Sequence, residues 1–140
     1  MELIEFTREN IQIYLEDCMD LQKQLVGDAG LIKAERFVAT AESPNSYFLG
    51  VSENGHIIGM GVVSLLAHPV DITGYVNNIV VDEKERGKGL FGVIMNALEE
   101  KAKDWGCTDL ALTCSRAAVQ GLYEKRGYRQ KETKFYLKDI

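Results

Sequence analysis

The chain predicts an α/β fold, and three observations carry the prediction. A short β-branched run, Tyr75 to Val81, leads through Arg86-Gly87-Lys88-Gly89-Leu90 into an amphipathic segment of helical period. Two apolar runs, residues 47–51 and 57–66, flank Asn54-Gly55, the dipeptide favoured in tight β-hairpins. Around these, segments of strand and helix period succeed one another in the order β-α-α-β-β-β-α-β-α-β-β. The 140 residues make a single domain, 1–140, long enough to bury a sizeable core.

Taken in order, residues 2–6 form a short charged strand, and Thr7 is placed to cap a helix carrying Ile11, Tyr14 or Leu15, Cys18, Gln22 and Leu25 on one face. Gly27-Asp28-Ala29-Gly30 breaks that helix, and a second follows over residues 31–41, ending before Ser43-Pro44. The hairpin strands come next, and His68-Pro69 interrupts before the run to Val81. Leu90, Ile94, Leu98, Ala102 and Trp105 then mark the apolar stripe of a long helix, with Gly106 as its terminator. Residues 110–114 predict a strand, residues 116–126 a helix, and Phe135-Tyr136-Leu137 a terminal hairpin.

The junction before Leu90 has the makings of an anion site. First-turn helix amides have no intrahelical partner, and the helix dipole places partial positive charge there. Gly87 and Gly89 let a phosphate approach the backbone, while Arg86 and Lys88 add full charges. The text from Gly87 to Gly92 also satisfies G-x-G-x-x-G, a weak dinucleotide signal. The charged stretch Asp82 to Arg86 separates strand from glycine, and Asp109, the acidic candidate, opens the next strand instead of ending it. Too little chain remains for the rest of a dinucleotide-binding sheet.

Arg86-Gly87-Lys88-Gly89-Leu90-Phe91, approached through Val81-Asp82, resembles the glycine-turn signature of the GCN5-related N-acetyltransferase (GNAT) superfamily, with Phe91 replacing a small residue. Leu122-Tyr123-Glu124-Lys125-Arg126-Gly127-Tyr128 is similar to a second motif of that family at the usual distance. The resemblance spans residues 74–128 and implies a mixed, largely antiparallel central sheet flanked by helices. It implies acetyl-CoA as co-substrate and no metal. Arg86, Gly87, Lys88, Gly89, Leu90 and Phe91 would cradle the diphosphate of coenzyme A, and the backbone of Ile79, Val80 and Val81 would pair with the pantetheine arm, the Ile79 amide facing the thioester oxygen. Tyr123 would be the general acid; by periodicity alone it reads as a packed helix aromatic. Arg116 stands where many relatives have an asparagine near the coenzyme, so it is either a phosphate contact or a solvated charge. Asn77 and Asn78 occupy the stretch where relatives carry a carboxylate base, and are weak substrate contacts; an amide cannot accept the proton. A water chain, a remote acid such as Glu35 or Asp71, or an amine already neutral would serve instead. Cys114 invites an acyl-cysteine route, but no histidine has a claim to activate it, which favours direct transfer.

These features predict an N-acetyltransferase acting on a primary amine of a small molecule, peptide or protein. One alternative is a non-catalytic acyl-CoA-binding module. Another is an amino-sugar-phosphate N-acetyltransferase, because residues 74–81, Gly106-Cys107-x-x-Leu110 and residues 122–127 also resemble the glucosamine-6-phosphate enzymes. The Asn77-Asn78 pair departs from the acidic residues usual there. With 46% hydrophobic and 26% charged residues the composition is that of a soluble globular protein. No apolar stretch is long enough for a bilayer, and the charged N-terminus is unlike a signal peptide. Three cysteines without C-x-x-C spacing fit reduced thiols, hence a cytoplasmic protein. A net charge of −5 disfavours nucleic acid and agrees with a cationic acceptor. Glu16, Asp17, Asp20, Asp28 and Glu35 make the first two helices locally acidic, which would draw that amine between those helices and the loop over residues 66–75. A homodimer is left open.

Overall fold

A computed structural model describes residues 1–27 and 32–140. Its elements are β1 (Glu2–Glu5), α1 (Ile11–Val26), α2 (Ala34–Glu42), β2 (Ser46–Glu53), β3 (His56–Ala67), β4 (Ile72–Val81), a single 3-10 turn (Glu83–Glu85), α3 (Leu90–Asp104), β5 (Asp109–Ala111) and α4 (Ala117–Glu124). The strands form one sheet in the order β1-β2-β3-β4-β5. The β1–β2, β2–β3 and β3–β4 pairs are antiparallel, and β4–β5 is parallel. It is the mixed, mostly antiparallel α/β architecture that the sequence predicts.

Both sheet faces are covered, so the inner strands read as nearly continuous apolar runs. Successive residues still alternate between faces. Phe48 and Val62 join Phe6, Ile11, Cys18, Leu21 and Phe37 beneath α1 and α2. Their neighbours Leu49 and Val63 join Ile94, Met95 and Leu98 of α3 on the other face. The β2–β3 hairpin closes at Asn54 (φ 52°) and Gly55 (φ 81°), two successive left-handed residues of the kind a tight hairpin turn needs.

Several expectations are corrected. Thr7 is not the cap of α1: that position is Asn10, whose side-chain Oδ1 accepts the Thr7 amide at 2.9 Å while its Nδ2 donates to the Glu5 carbonyl. The expected face of α1 holds at Ile11 and Cys18, which are buried, and at Tyr14, Leu15 and Leu25, which pack half-buried against the core; Leu21 is buried as well, and Gln22 lies at the boundary. Gly27 ends α1 in a left-handed conformation (φ 73°) as expected; the rest of the predicted break, Asp28 included, and the predicted helix start at Leu31 lie outside the described residues. Among those described, α2 begins only at Ala34, after an extended Lys33. The loop expected over residues 66–75 is shorter, because β3 runs to Ala67 and β4 starts at Ile72. The strand over residues 110–114 shrinks to Asp109–Ala111, and α4 spans Ala117–Glu124.

The terminal hairpin does not form. Residues 129–140 carry no regular structure and are exposed throughout. Arg129-Gln130-Lys131-Glu132-Thr133-Lys134 contains no Gly, Pro, Asn or Asp, so nothing there turns the chain back as Asn54-Gly55 does.

Candidate active site

β4 is ten residues long, but β5 pairs with only three near its start: Thr73, Gly74 and Tyr75 oppose Asp109, Leu110 and Ala111. Beyond Tyr75 the two parallel strands part, and the β5-facing edge of β4 runs open toward Val81. Its other edge stays paired with β3 as far as Gly59 opposite Val81. Along that seam the register slips by one residue between Met60–Val80 and Val62–Asn77. The slip is a β-bulge, and Asn78 carries it with φ 53°. Asparagine is among the few residues that tolerate this left-handed conformation. Its Nδ2 donates to Gln22 Oε1 of α1 at 3.1 Å, so the bulge is also held from its side chain. Opposite, Gly61 leaves room for Ile79: a Cβ there would lie 2.7 Å from Ile79 Cδ1 and from Ile94 Cγ2.

The open edge leads to the glycine turn. Asp82 Oδ1 accepts the Lys84 amide and starts the 3-10 turn, and Gln24 of α1 accepts the Glu83 amide at 3.0 Å. Gly87 (φ 81°) and Gly89 (φ 85°) are both left-handed, and a Cβ at either would meet no atom within 4 Å. Gly89 is the N-cap of α3 and has no side chain to satisfy its first-turn amides. A vacant surface thus faces uncapped N–H groups at the positive end of a four-turn helix. The two cations are turned aside: Arg86 Nε donates to the Val81 carbonyl at 3.1 Å, and Lys88 Nζ pairs with Glu85 at 2.6 Å. That pairing raises the Lys88 pKa.

Phe91, at the second position of α3, does not point away from the fold. Its ring meets Tyr123 of α4 edge-on at 5.3 Å, and Tyr123 meets Tyr128 edge-on at 5.9 Å. Tyr128 donates to Glu99 Oε2 at 2.9 Å, and Glu99 also pairs with Arg126. This file of rings fixes Tyr123 while leaving its hydroxyl without a hydrogen-bond partner among the described residues. Burial, with Cys114 nearby, raises the Tyr123 pKa above 10.0, so its proton is held at neutral pH.

The predicted residues therefore fall into three groups. Ile79, Val80 and Val81 line the strand with the open edge, and Arg86, Gly87, Lys88, Gly89, Leu90 and Phe91 form the turn to which it leads. Tyr123 reaches that region through Phe91. Arg116 is exposed, and its guanidinium donates to the Leu25 carbonyl in the last turn of α1 at 2.5 Å, linking α4 to α1. Asn78 spends its amide on Gln22, and Asn77 sits at the register slip. Cys114 donates to the Arg116 carbonyl and has no histidine beside it among the described residues. Gln22, Gln24, Glu99 and Tyr128 were missed by sequence reasoning. Only Tyr128 carried a signal, as the last residue of the second motif.

Among the proposed acids, Glu35 is exposed in the first turn of α2, and Asp71 Oδ1 lies 3.0 Å from His68 Nε2. Asp17, Asp20 and Asp82 line a cleft of about 190 Å³ between α1 and the end of β4. Asp17 there accepts the Ile57 amide at 3.0 Å. No helix among the described residues is long and apolar enough to cross a membrane, and no cluster of metal-ligating side chains is found among them.

Comparison with solved structures finds the same fold. A protein of Agrobacterium tumefaciens assigned as an acetyltransferase superposes with TM-score 0.84 at 21% identity, covering 99% of this chain and 100% of that one. Glucosamine-6-phosphate N-acetyltransferase of Arabidopsis thaliana gives 0.80 at 22% identity, covering 98% and 97%. An assigned acetyltransferase of Clostridium acetobutylicum, solved with acetyl-CoA, gives 0.79 at 16% identity, covering 98% and 95%. The model of the acetyltransferase (GNAT) family matches residues 6–128, nearly the whole described fold and both motifs. The chain belongs to the acetyltransferase (GNAT) family and is an acyltransferase of that class.

Proposed function

We propose that the protein binds acetyl-CoA along the open edge of β4 and catalyses direct transfer of its acetyl group to a primary amine of a small molecule. The observation that carries this reading is the continuous path from the unpaired stretch of β4 beyond Tyr75 to the uncapped N-terminus of α3 at Gly89. An extended ligand with amide groups can complete such an edge as a strand would, and a diphosphate matches the helix end. The open space at Gly87 and Gly89 fits the group: no side chain blocks it.

Acetyl-CoA supplies an activated thioester. The chain's contribution is placement and proton handling. The Ile79 amide, presented by the Asn78 bulge, donates to the thioester oxygen and favours the tetrahedral oxyanion over the flat carbonyl. The amine nitrogen bonds to the acetyl carbon, the carbon–sulfur bond breaks, and the electron pair leaves on sulfur. Tyr123 donates its proton to that thiolate; its raised pKa keeps the proton available until it is needed. The amine gives up its own proton to water, and solvent returns one to Tyr123. Asn77 and Asn78 cannot act as the base, so the amine enters as the free base. The carboxylates of Asp17, Asp20 and Asp82 give the α1 side a negative potential, which supports a cationic acceptor class.

The test is release of free thiol from acetyl-CoA with a panel of primary amines, amino-sugar phosphates and hydroxyl acceptors. Turnover with simple amines, rising with pH as they deprotonate, is the expected result. Turnover confined to amino-sugar phosphates transfers the reading to that acceptor class. Binding of acetyl-CoA without turnover on any acceptor refutes the enzymatic reading in favour of an acyl-CoA-binding module.

A further inference from the structure

We infer that Tyr75 and Thr113 set the length of the acyl group the site accepts, by barring the wedge between β4 and β5 just beyond the thioester. The inference rests on the binding mode proposed above, with the coenzyme laid along the open edge of β4. Backbone pairing between the two strands ends at Tyr75 opposite Ala111. On the face toward α1, two side-chain contacts tie the strands together. Thr73 Oγ1 donates to Asp109 Oδ1 at 2.6 Å, and those two residues are also backbone partners. The second contact is out of step with the backbone. The Tyr75 hydroxyl lies 3.3 Å from Thr113 Oγ1, two positions beyond its backbone partner Ala111. The phenol therefore reaches forward past the last ladder pair and crosses the gap where the backbones have already parted.

The remaining walls are filled. Side chains alternate between the faces of a strand, and Val76, Leu110 and Leu112 all join the core on the α3 side. Behind the apex there is no spare room: a Cβ on Gly74 would lie 3.1 Å from Leu110 Cδ2, 3.2 Å from Ala102 Cβ and 3.2 Å from Val63 Cγ2. An acyl chain running down the edge thus meets packed apolar side chains on one face and the Tyr75–Thr113 bar on the other.

The distance suits an acetyl group. Arg86 Nε donates to the Val81 carbonyl, so the glycine turn folds back onto the end of β4. From its diphosphate to its sulfur, the coenzyme is about as long as four extended residues, roughly 15 Å. Counted back from Val81, four residues end at Asn78, which leaves the thioester beside the Ile79 amide. An acetyl group covers about one residue more, and its methyl stops at the bar. A propionyl or butyryl chain has to displace it, and one surplus methylene in a filled pocket is discriminated against by about 10–200-fold.

Titration calorimetry with acetyl-, propionyl- and butyryl-CoA tests the inference without knowledge of the acceptor. On the unmodified chain, affinity should fall by at least about 10-fold from acetyl-CoA to butyryl-CoA. Equal affinities overturn the inference and leave the acetyl-CoA site standing, whereas failure of acetyl-CoA itself to bind refutes the underlying binding mode. Tyr75→Ala should remove most of the difference between the two ligands. Thr113→Ala, at an exposed position, keeps the ring but frees it from its anchor and should narrow the difference in part. Circular dichroism checks that each variant is folded, and a difference as wide in a folded variant as in the unmodified chain overturns the role of the bar. With any amine that turns over, the ratio of kcat/KM for acetyl-CoA to that for propionyl-CoA should fall in the same two variants; an unmoved ratio also overturns it.

Discussion

Substituting Gly89 separates backbone strain from electrostatics at the proposed diphosphate site. The residue sits at φ 85°, and a methyl group added to it would meet no atom within 4 Å, so any L-residue meets strain but no clash. The left-handed conformation costs roughly 1–2 kcal/mol, and Gly89→Ala and Gly89→Asp should lose that much stability alike. Their ligand affinities should differ. A carboxylate about 4 Å from one phosphate charge costs about 1 kcal/mol in bulk water and about 4 kcal/mol at a surface-like dielectric. At about 1.4 kcal/mol per decade, Gly89→Asp should bind acetyl-CoA at least about 5-fold, and up to about 1,000-fold, more weakly than Gly89→Ala. Titration calorimetry gives the affinities, and urea unfolding checks that the two variants are equally stable. Equal affinity in the two variants would falsify the placement of the diphosphate over this turn.

Tyr123→Phe should lower kcat by about 10²–10⁴-fold with little change in acetyl-CoA affinity, measured by steady-state thiol release; an unchanged kcat returns Tyr123 to a packing role. The tyrosine must be protonated to act and its pKa is raised by burial, so its alkaline limb of activity should fall above pH 10. Gly61→Ala should destabilise by about 1–3 kcal/mol, because its methyl meets Ile79, Ile94 and Leu98 within 3.1 Å; a denaturation midpoint equal to the parent's contradicts the tight seam. Burial, and then Asp17, push the Cys18 thiol from 9.0 up to about 12. Its folded pKa exceeds the unfolded one, so this contribution is full below about pH 9 and disappears as pH rises toward 12, by about 4 kcal/mol. Urea midpoints measured across that interval should fall less steeply in Cys18→Ala.

What could be read from the sequence was whatever a few adjacent residues decide. Asn54-Gly55 dictates its hairpin because both residues accept positive φ, and Gly87 and Gly89 mark their turn for the same reason. The stripe Leu90, Ile94, Leu98 and Ala102 places α3, and those side chains are buried. Features set by long-range pairing stayed hidden. The bulge at Asn78 arises from register against β3, and the only local hint is that asparagine tolerates φ 53°. Arg116 has its partner at Leu25, ninety-one positions away, and no spacing rule points there. The end of β5 follows from its divergence from β4, so apolar Leu112 reads as strand although it lies outside the ladder. The expected terminal hairpin rested on a strand-like run without a turn before it, and the missing turn was the better guide.

α4 has no buried residue, so it is held chiefly by the aromatic contacts of Tyr123 and by the Arg116 tether. Such an element opens locally at a lower free energy than the sheet, whose β2, β3 and β4 cores are fully covered. Warming should therefore release Tyr123, the proposed proton donor, while the strands stay folded. The protein would lose turnover several degrees below the temperature at which its sheet signal melts. Phe91, which packs on Tyr123 of α4, and Glu99, which holds Arg126 and Tyr128 just beyond it, would set the working temperature, leaving overall thermal stability to the core beneath.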